Sequence, residues 1–377
     1  MNNKNCLNSN KQRFNLRQES LELFFELLKI QVGAKKSLKQ HYSDEQWLGA
    51  YKIANEQAIT GVLAAAIETL EDKSFLPSEL VLLRWVGKGM MIEQTSIKME
   101  EAGKATVVFF HENGFACQIL KGSAVARYYP QPYKRSSGDI DIWLDGSRER
   151  IYNFARKYDK DDKLYGVNYH HIKFHLMPGV NIEVHIWPSY FCSPLRNRRF
   201  QEFCKLYKPT MESSMPSLAF DRVFILSHCY RHMCGDGIGI RQVMDYFYVL
   251  RRGFTEDERS DAETWIRKLG MGRFAEGLMW VLHEVFGLED EYLILETNEQ
   301  EGRFIMNEIL FTGNLGHSDK RSWGSKETAA SRYLFSLKRD VYMAKHYPHE
   351  ALWQPFFSLW LYFWRLSKGL LKKSDEL

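Results

Sequence analysis

Apolar residues recur every three to four positions from about Leu16 to Gly114, for example at Leu21, Leu23, Phe24 and Leu27 and again at Ile59, Val62, Leu63 and Ile67. That is the spacing of helices that bury one stripe. Residues 80–110 predict one long helix or two, with Glu101 and Lys104 on the wet face. Between about Phe115 and Trp187 the period falls to two. Cys117-Gln118-Ile119-Leu120 is a short apolar strand, Ile140-Asp141-Ile142-Trp143-Leu144 alternates, and so do 171–176 and 180–187. The turn Pro178-Gly179 makes an antiparallel hairpin of these last two. A helix is predicted over 147–158, and 313–327 reads as a polar loop. Further helices are predicted over 218–233, 238–250, 262–269 and 274–286. The expected organisation is a disordered polar tail (1–15), an N-terminal helical region (16–114), a small α/β core (115–210) and a C-terminal helical region (211–377), an α+β chain overall.

Composition narrows the field. The 377 residues are 45% hydrophobic and carry a net charge of +4. So mild an excess disfavours a nucleic-acid partner and suits a phosphate-bearing small molecule equally well. The six cysteines form no CxxC pair and lie in apolar stretches, as reduced buried thiols do. With no apolar leader at the N-terminus and no uncharged run of spanning length, the expectation is a cytoplasmic protein. The stretch 353–372 is aromatic and then basic. It reads as a helix packed on its own domain, or as a peripheral contact with an anionic membrane surface.

Alternation puts Asp139 and Asp141 on one face of a strand. Two carboxylates side by side repel each other, and a divalent cation reverses that cost. Glu183, flanked by Ile182 and Val184, faces the opposite side from those two, together with Asn181 and His185. If its strand lies beside that of Asp141, three acidic groups share one open face. Such a face can hold two Mg²⁺ ions about 4 Å apart, suited to in-line displacement at phosphorus. Upstream, Gly122-Ser123 closes a strand and opens a helix, where backbone N–H groups and a hydroxyl can meet phosphate.

Leu120-Lys121-Gly122-Ser123 followed by Arg135-Ser136-Ser137-Gly138-Asp139-Ile140-Asp141 resembles the signature of the DNA-polymerase-β-like nucleotidyltransferase superfamily. Within it, the chain is most similar to a bacterial family of uncharacterised nucleotidyltransferases. The shared features are Lys-Gly, Tyr-Tyr-Pro, Arg-x-x-Gly-Asp-Ile-Asp, the Glu-x-His strand, His228, His232 and the run Gly239 to Asp245. The resemblance covers about Leu120 to Leu250. It implies a small mixed-sheet core, two Mg²⁺ ions and an NTP donor. The expected reaction moves NMP to a hydroxyl-bearing acceptor, a small molecule or a protein, and releases pyrophosphate; amine or phosphate acceptors are less favoured. The alternative is a catalytically silent nucleotide-binding or regulatory module on the same fold. The spacer between Gly-Ser and the aspartates is longer than in most of the superfamily, though the closer family shares it.

Other residues carry two readings each. Arg135 is a solvated loop residue or, with Lys121, a triphosphate ligand. His171, Lys173 and His175 share a face that carries substrate or is simply wet. His185 orients Glu183 or contacts the nucleotide, and is not expected to bind zinc. His228 and His232, four apart, form a polar helix face against the α/β unit, or ligands. Arg241 and Asp245 form a buried pair, or Asp245 activates the acceptor. The density of polar groups in 218–250 predicts that this segment walls the cleft opposite the carboxylates.

Overall fold

This computed structural model describes the backbone of residues 2–158, 164, 166–316, 318, 319, 321 and 328–370, with side chains from Leu16 onward apart from 329 and 332. Four helices come first: α1 (Asn2–Gln31), α2 (Asp44–Glu56), α3 (Thr60–Glu68) and α4 (Glu79–Glu112). The tail expected over 1–15 falls where side chains lie outside those described. The region predicted as one helix or two is the single helix α4.

The core follows in the expected order: β1 (Cys117–Leu120), α5 (Gly122–Ala126), β2 (Ile140–Leu144), α6 (Arg148–Tyr158), β3 (His171–Phe174) and β4 (Ile182–His185). The sheet runs β1-β2-β4-β3. β1 and β2 are antiparallel, β2 and β4 parallel, and the hairpin β3–β4 antiparallel, so the sheet is mixed. Cys117, Ile119, Ile140, Ile142, Leu144, Ile172, Phe174, Ile182 and Val184 bury one face against Val107 and Phe110 of α4 and Ile151 of α6. Each such side chain contributes roughly 1.5–3 kcal/mol. The alternate residues point the other way. There Leu120 and Trp143 join the separate helical core, and Trp143 stacks on Phe220 with ring centroids 6.0 Å apart.

The C-terminal region continues through α7 (Pro194–Lys205), α8 (Leu218–Cys234), α9 (Ile240–Leu250), α10 (Glu256–Lys268), α11 (Gly272–Trp280), α12 (Glu299–Thr312), α13 (Ala329–Met343), α14 (Pro348–Ala351) and α15 (Gln354–Ser367). Helix α7 has no counterpart in the sequence reading, because its twelve residues bury little beyond Phe200, Phe203 and Cys204. Helix α10 begins six residues before the predicted 262. Its first turns are all charged, and a Thr255–Glu258 capping box sets the start. The polar loop expected over 313–327 lies largely outside the described residues. Helix α15 packs Phe357 and Trp360 against Tyr169, and Trp364 beneath Arg148. Its other face exposes Phe356 and Phe363. No helix among the described residues is long and apolar enough to cross a membrane.

One docking contact fixes the segment that leads into the aspartates. A Cβ at Gly61 of α3 would lie 2.4 Å from the Lys134 carbonyl oxygen, so only glycine lets the loop seat there. Ser96 of α4 donates a hydrogen bond to the Arg135 carbonyl at 2.8 Å.

Candidate active site

The parallel pairing of β2 and β4 sets Asp141 directly beside Glu183. Across the hairpin, β3 brings Lys173 opposite Glu183 and His171 opposite His185. Asp139, one residue before β2, is exposed and lines a cavity of about 60 Å³ together with Glu183, Asn181, Lys173 and His175.

The three carboxylates differ in surroundings. Asp141 is buried, and its Oδ1 meets Lys121 Nζ at 2.9 Å and His185 Nε2 at 2.7 Å. Burial pushes its carboxyl up, but Lys121 and His185 outweigh that and hold it well below the usual range. Glu183 is partly buried; burial, and then the charge of Asp141, push its carboxyl up. Its Oε2 lies 3.2 Å from His171 Nδ1. Among the described residues, Asp141 Oδ2, Glu183 Oε1 and both oxygens of Asp139 have no hydrogen-bond or ion-pair partner. These free, hard oxygens suit Mg²⁺, which takes a few carboxylate oxygens and leaves its other positions to water and phosphate.

The Gly-Ser turn reaches the same place. Leu120 pairs with Asp141, and the chain then turns at once into α5. The turn uses Lys121 at φ 51° and Gly122 at φ 42°. The strained lysine conformation aims Nζ at the aspartate. Ser123 sits in the first turn of α5, which has only five residues.

Helices α8 and α9 supply a cationic and histidine-rich wall. His228 and His232 stack edge to face at 4.4 Å. Burial, and then each one's charged neighbours including Lys121, push both far below the ordinary imidazole range. Among the described residues Arg241 has no carboxylate within ion-pair distance; it donates to the Ser136 carbonyl at 3.3 Å, and its Nε is buried without a partner. Burial, and then Arg135, push its pKa down, while Asp245 and, less strongly, Asp139 act on it favourably. Arg231 lies over the Tyr190 ring at 4.7 Å, its Nε likewise unpartnered.

Two candidates lie elsewhere. Arg135, expected at the triphosphate or in solvent, is buried and grips Asp245 through Nε and Nη2, at 2.7 and 2.6 Å. Tyr129 donates a third bond to Asp245 at 2.7 Å. Asp245 thus pairs with Arg135 and not with Arg241, whose order on the helix is the less favourable one for a pair. Neither Arg135 nor Asp245 presents a free group to the carboxylate face. The sequence reading missed His170 and Arg231. It named His171 without its partner, though the hairpin register would have placed His171 opposite His185.

A second cavity, of about 320 Å³, opens between α2, α3 and α4 and the loop. Its lining is mixed: Asn55, Thr60, Lys88, Ser136 and Ser137 are polar, and Ala58, Met91 and Ile92 are apolar.

A family model described as uncharacterised nucleotidyltransferase matches residues 43–287, well over half of the chain. The match spans α2 to the turn beyond α11 and includes every site residue above. No curated protein and no solved structure matches the chain.

Proposed function

We propose, on the premise that the chain belongs to the family of uncharacterised nucleotidyltransferases, that it moves a nucleoside monophosphate from an NTP to a hydroxyl-bearing acceptor and releases pyrophosphate. Nucleotidyl transfer follows from the family; donor, acceptor and metal are our reading. The observation that carries it is Asp141 beside Glu183 on parallel strands, with oxygens unpartnered and Asp139 at the rim.

Asp139, Asp141 and Glu183 would hold Mg²⁺. When bound, that ion supplies charge neutralisation at the phosphates and acidifies the acceptor hydroxyl. The chain's own residues do the rest. Lys121 keeps Asp141 ionised at neutral pH, ready to accept a cation. Arg241 and Arg231, without carboxylate partners, offer guanidinium groups to a polyanion. His185 holds the Asp141 carboxylate in one rotamer through the 2.7 Å contact. The cavity beside Ser136 and Ser137 has the size of a small-molecule site. It lies close to Asp139, because two residues of chain span at most about 7 Å. An acceptor or the nucleoside would fit there. A catalytically silent copy would have no physical reason to keep two carboxylates abreast with free oxygens.

Isothermal titration with Mg²⁺ and non-hydrolysable NTPs tests the reading. Wild type is expected to bind at least one of them, and Asp139→Asn to bind it markedly more weakly. Absence of binding by every NTP would overturn the proposal.

A further inference from the structure

Both ring nitrogens of His185 face oxygen. Its Nδ1 lies 3.3 Å from the Trp187 carbonyl oxygen and its Nε2 2.7 Å from Asp141 Oδ1. Both partners are acceptors, and a neutral imidazole has a single N–H. The ring is thus turned with Nδ1 toward the carbonyl and Nε2 toward the carboxylates. If the N–H is on Nδ1, it serves the carbonyl, and Nε2 is left as a ligand. Metal-bound histidines are oriented in this way, by donating the other ring N–H to a carbonyl or carboxylate.

A second histidine is hard to explain as structural. His170 is 4% exposed, and its Nδ1 has no partner. Its one polar contact is Nε2 to His171 Nδ1 at 3.2 Å. Nε2, and not the orphaned Nδ1, is therefore the nitrogen that faces the other histidines. His171 Nδ1 faces His170 and also Glu183 Oε2, at 3.2 Å each. His170, His171 and His185 each bring one ligand atom within 4.8 Å of the other two, and Asp141, Glu183 and His185 do likewise. Ligands about 2.1 Å from a common ion stand roughly 3 Å apart, which the His170–His171 pair at 3.2 Å matches.

We propose that His170, His171 and His185 form a nitrogen-donor site for a divalent first-row transition ion, of the Mn²⁺ to Zn²⁺ series, immediately beside the oxygen-rich Asp139–Asp141–Glu183 face. Imidazole suits these ions, whereas Mg²⁺ prefers oxygen. The centre is asymmetric: one side takes a hard ion, the other a softer one. The competing account makes His185 an imidazolium paired with Asp141 and leaves no ion on the nitrogen side.

The test does not depend on nucleotidyl transfer. Full-length wild type, stripped with chelator and loaded with one equivalent of Zn²⁺, is examined by X-ray absorption fine structure. Two or three imidazole nitrogens around the zinc are expected, and an all-oxygen shell overturns the proposal. In parallel, Co²⁺ is titrated into wild type and His170→Gln, with circular dichroism as the folding check. Binding roughly tenfold weaker or more is expected in His170→Gln, with no displacement by excess Mg²⁺. Equal affinity in the two proteins, or displacement by Mg²⁺, overturns it. A protein that binds zinc through histidine yet no NTP would refute the transfer reading alone. One that binds NTP with Mg²⁺ yet ligates zinc only through oxygen would refute this proposal alone.

Discussion

Lys121 Nζ lies 2.9 Å from Asp141 Oδ1, and the lysine reaches it from a backbone at φ 51° and ψ −148°. Residues with a Cβ seldom enter that region, at a cost of about 1–3 kcal/mol. The position of β1 imposes it: Leu120 ends the strand opposite Asp141, and the chain must turn immediately. The strain places a cation on the one carboxylate of the three that is fully buried. Asp141 is therefore compensated before any ligand arrives, whereas Glu183 and Asp139 are not.

That asymmetry separates two substitutions which look equivalent in the sequence. Carboxylate repulsion alone suggests that Asp141→Asn leaves stability unchanged or raises it. With Lys121 and His185 as partners, the same change breaks a buried pair and is expected to cost about 3–5 kcal/mol. Asp139→Asn, exposed and unpartnered, is expected to stay within about 0.5 kcal/mol of wild type. Both should abolish turnover. Urea unfolding beside an NTP-turnover assay checks this; equal stability of the two variants would contradict the pairing.

A second carboxylate gives a pH signature away from the site. Asp221 of α8 accepts from Tyr128 at 2.9 Å and from Arg127 at 3.2 Å, with its Oδ1 buried and unpartnered. Burial pushes its carboxyl up to about 6, against the opposing pull of Tyr128 and Arg127. Because the folded value lies above the unfolded one near 3.9, its favourable contribution is full below about pH 4 and is lost as pH rises through 6. Asn does not titrate. Between pH 4 and 7.5 the stability of Asp221→Asn relative to wild type should improve by about 2–3 kcal/mol. A pH-independent difference would mean that Asp221 is already ionised at acid pH.

Much of this was legible in the sequence, for physical reasons. Two-residue alternation in 140–144 and 180–187 fixed which face Asp141, Glu183 and His185 share, and Pro178-Gly179 fixed the hairpin. The family resemblance rested on the same residues. Strand neighbours were not legible, because no local pattern states that β2 pairs parallel with β4. Nor was the fate of Arg135. A loop arginine before the aspartates suits phosphate as well as it suits a buried partner 110 residues away. Helix α7 escaped because its charged face outweighs its apolar one.

The cavity beside Ser136 and Ser137 yields a test of what enters it. Thr95, exposed on α4 and part of its lining, can be enlarged with little effect on the core. Thr95→Trp is expected to leave the melting temperature near that of wild type. Weakened NTP binding would place the nucleoside there. Unchanged NTP affinity with reduced turnover would place the acceptor there. If neither quantity changes, the cavity takes no part in the reaction.

Arg135 and Arg241 face the same loop and are expected to fail in opposite ways. Arg135 closes a bidentate, buried pair with Asp245, reinforced by Tyr129. Arg135→Ala leaves that carboxylate buried without its ion-pair partner, which typically costs about 3–5 kcal/mol. Arg241 has no such partner, and the charge of Arg135 works against it. Arg241→Ala removes a half-buried cation that burial and Arg135 disfavour and that Asp245, Asp139 and the Ser136 carbonyl partly offset, so the melting temperature is expected to change little. Its cost falls on ligand binding instead. Losing one charge-assisted contact to phosphate, worth about 1.5–3 kcal/mol, weakens NTP affinity by roughly ten- to a hundredfold. Paired thermal melts and titrations with Mg²⁺-NTP separate the two roles. Should Arg241→Ala keep full NTP affinity while Arg135→Ala melts normally and loses it, the phosphate ligand is Arg135 and the pairing with Asp245 opens when nucleotide binds.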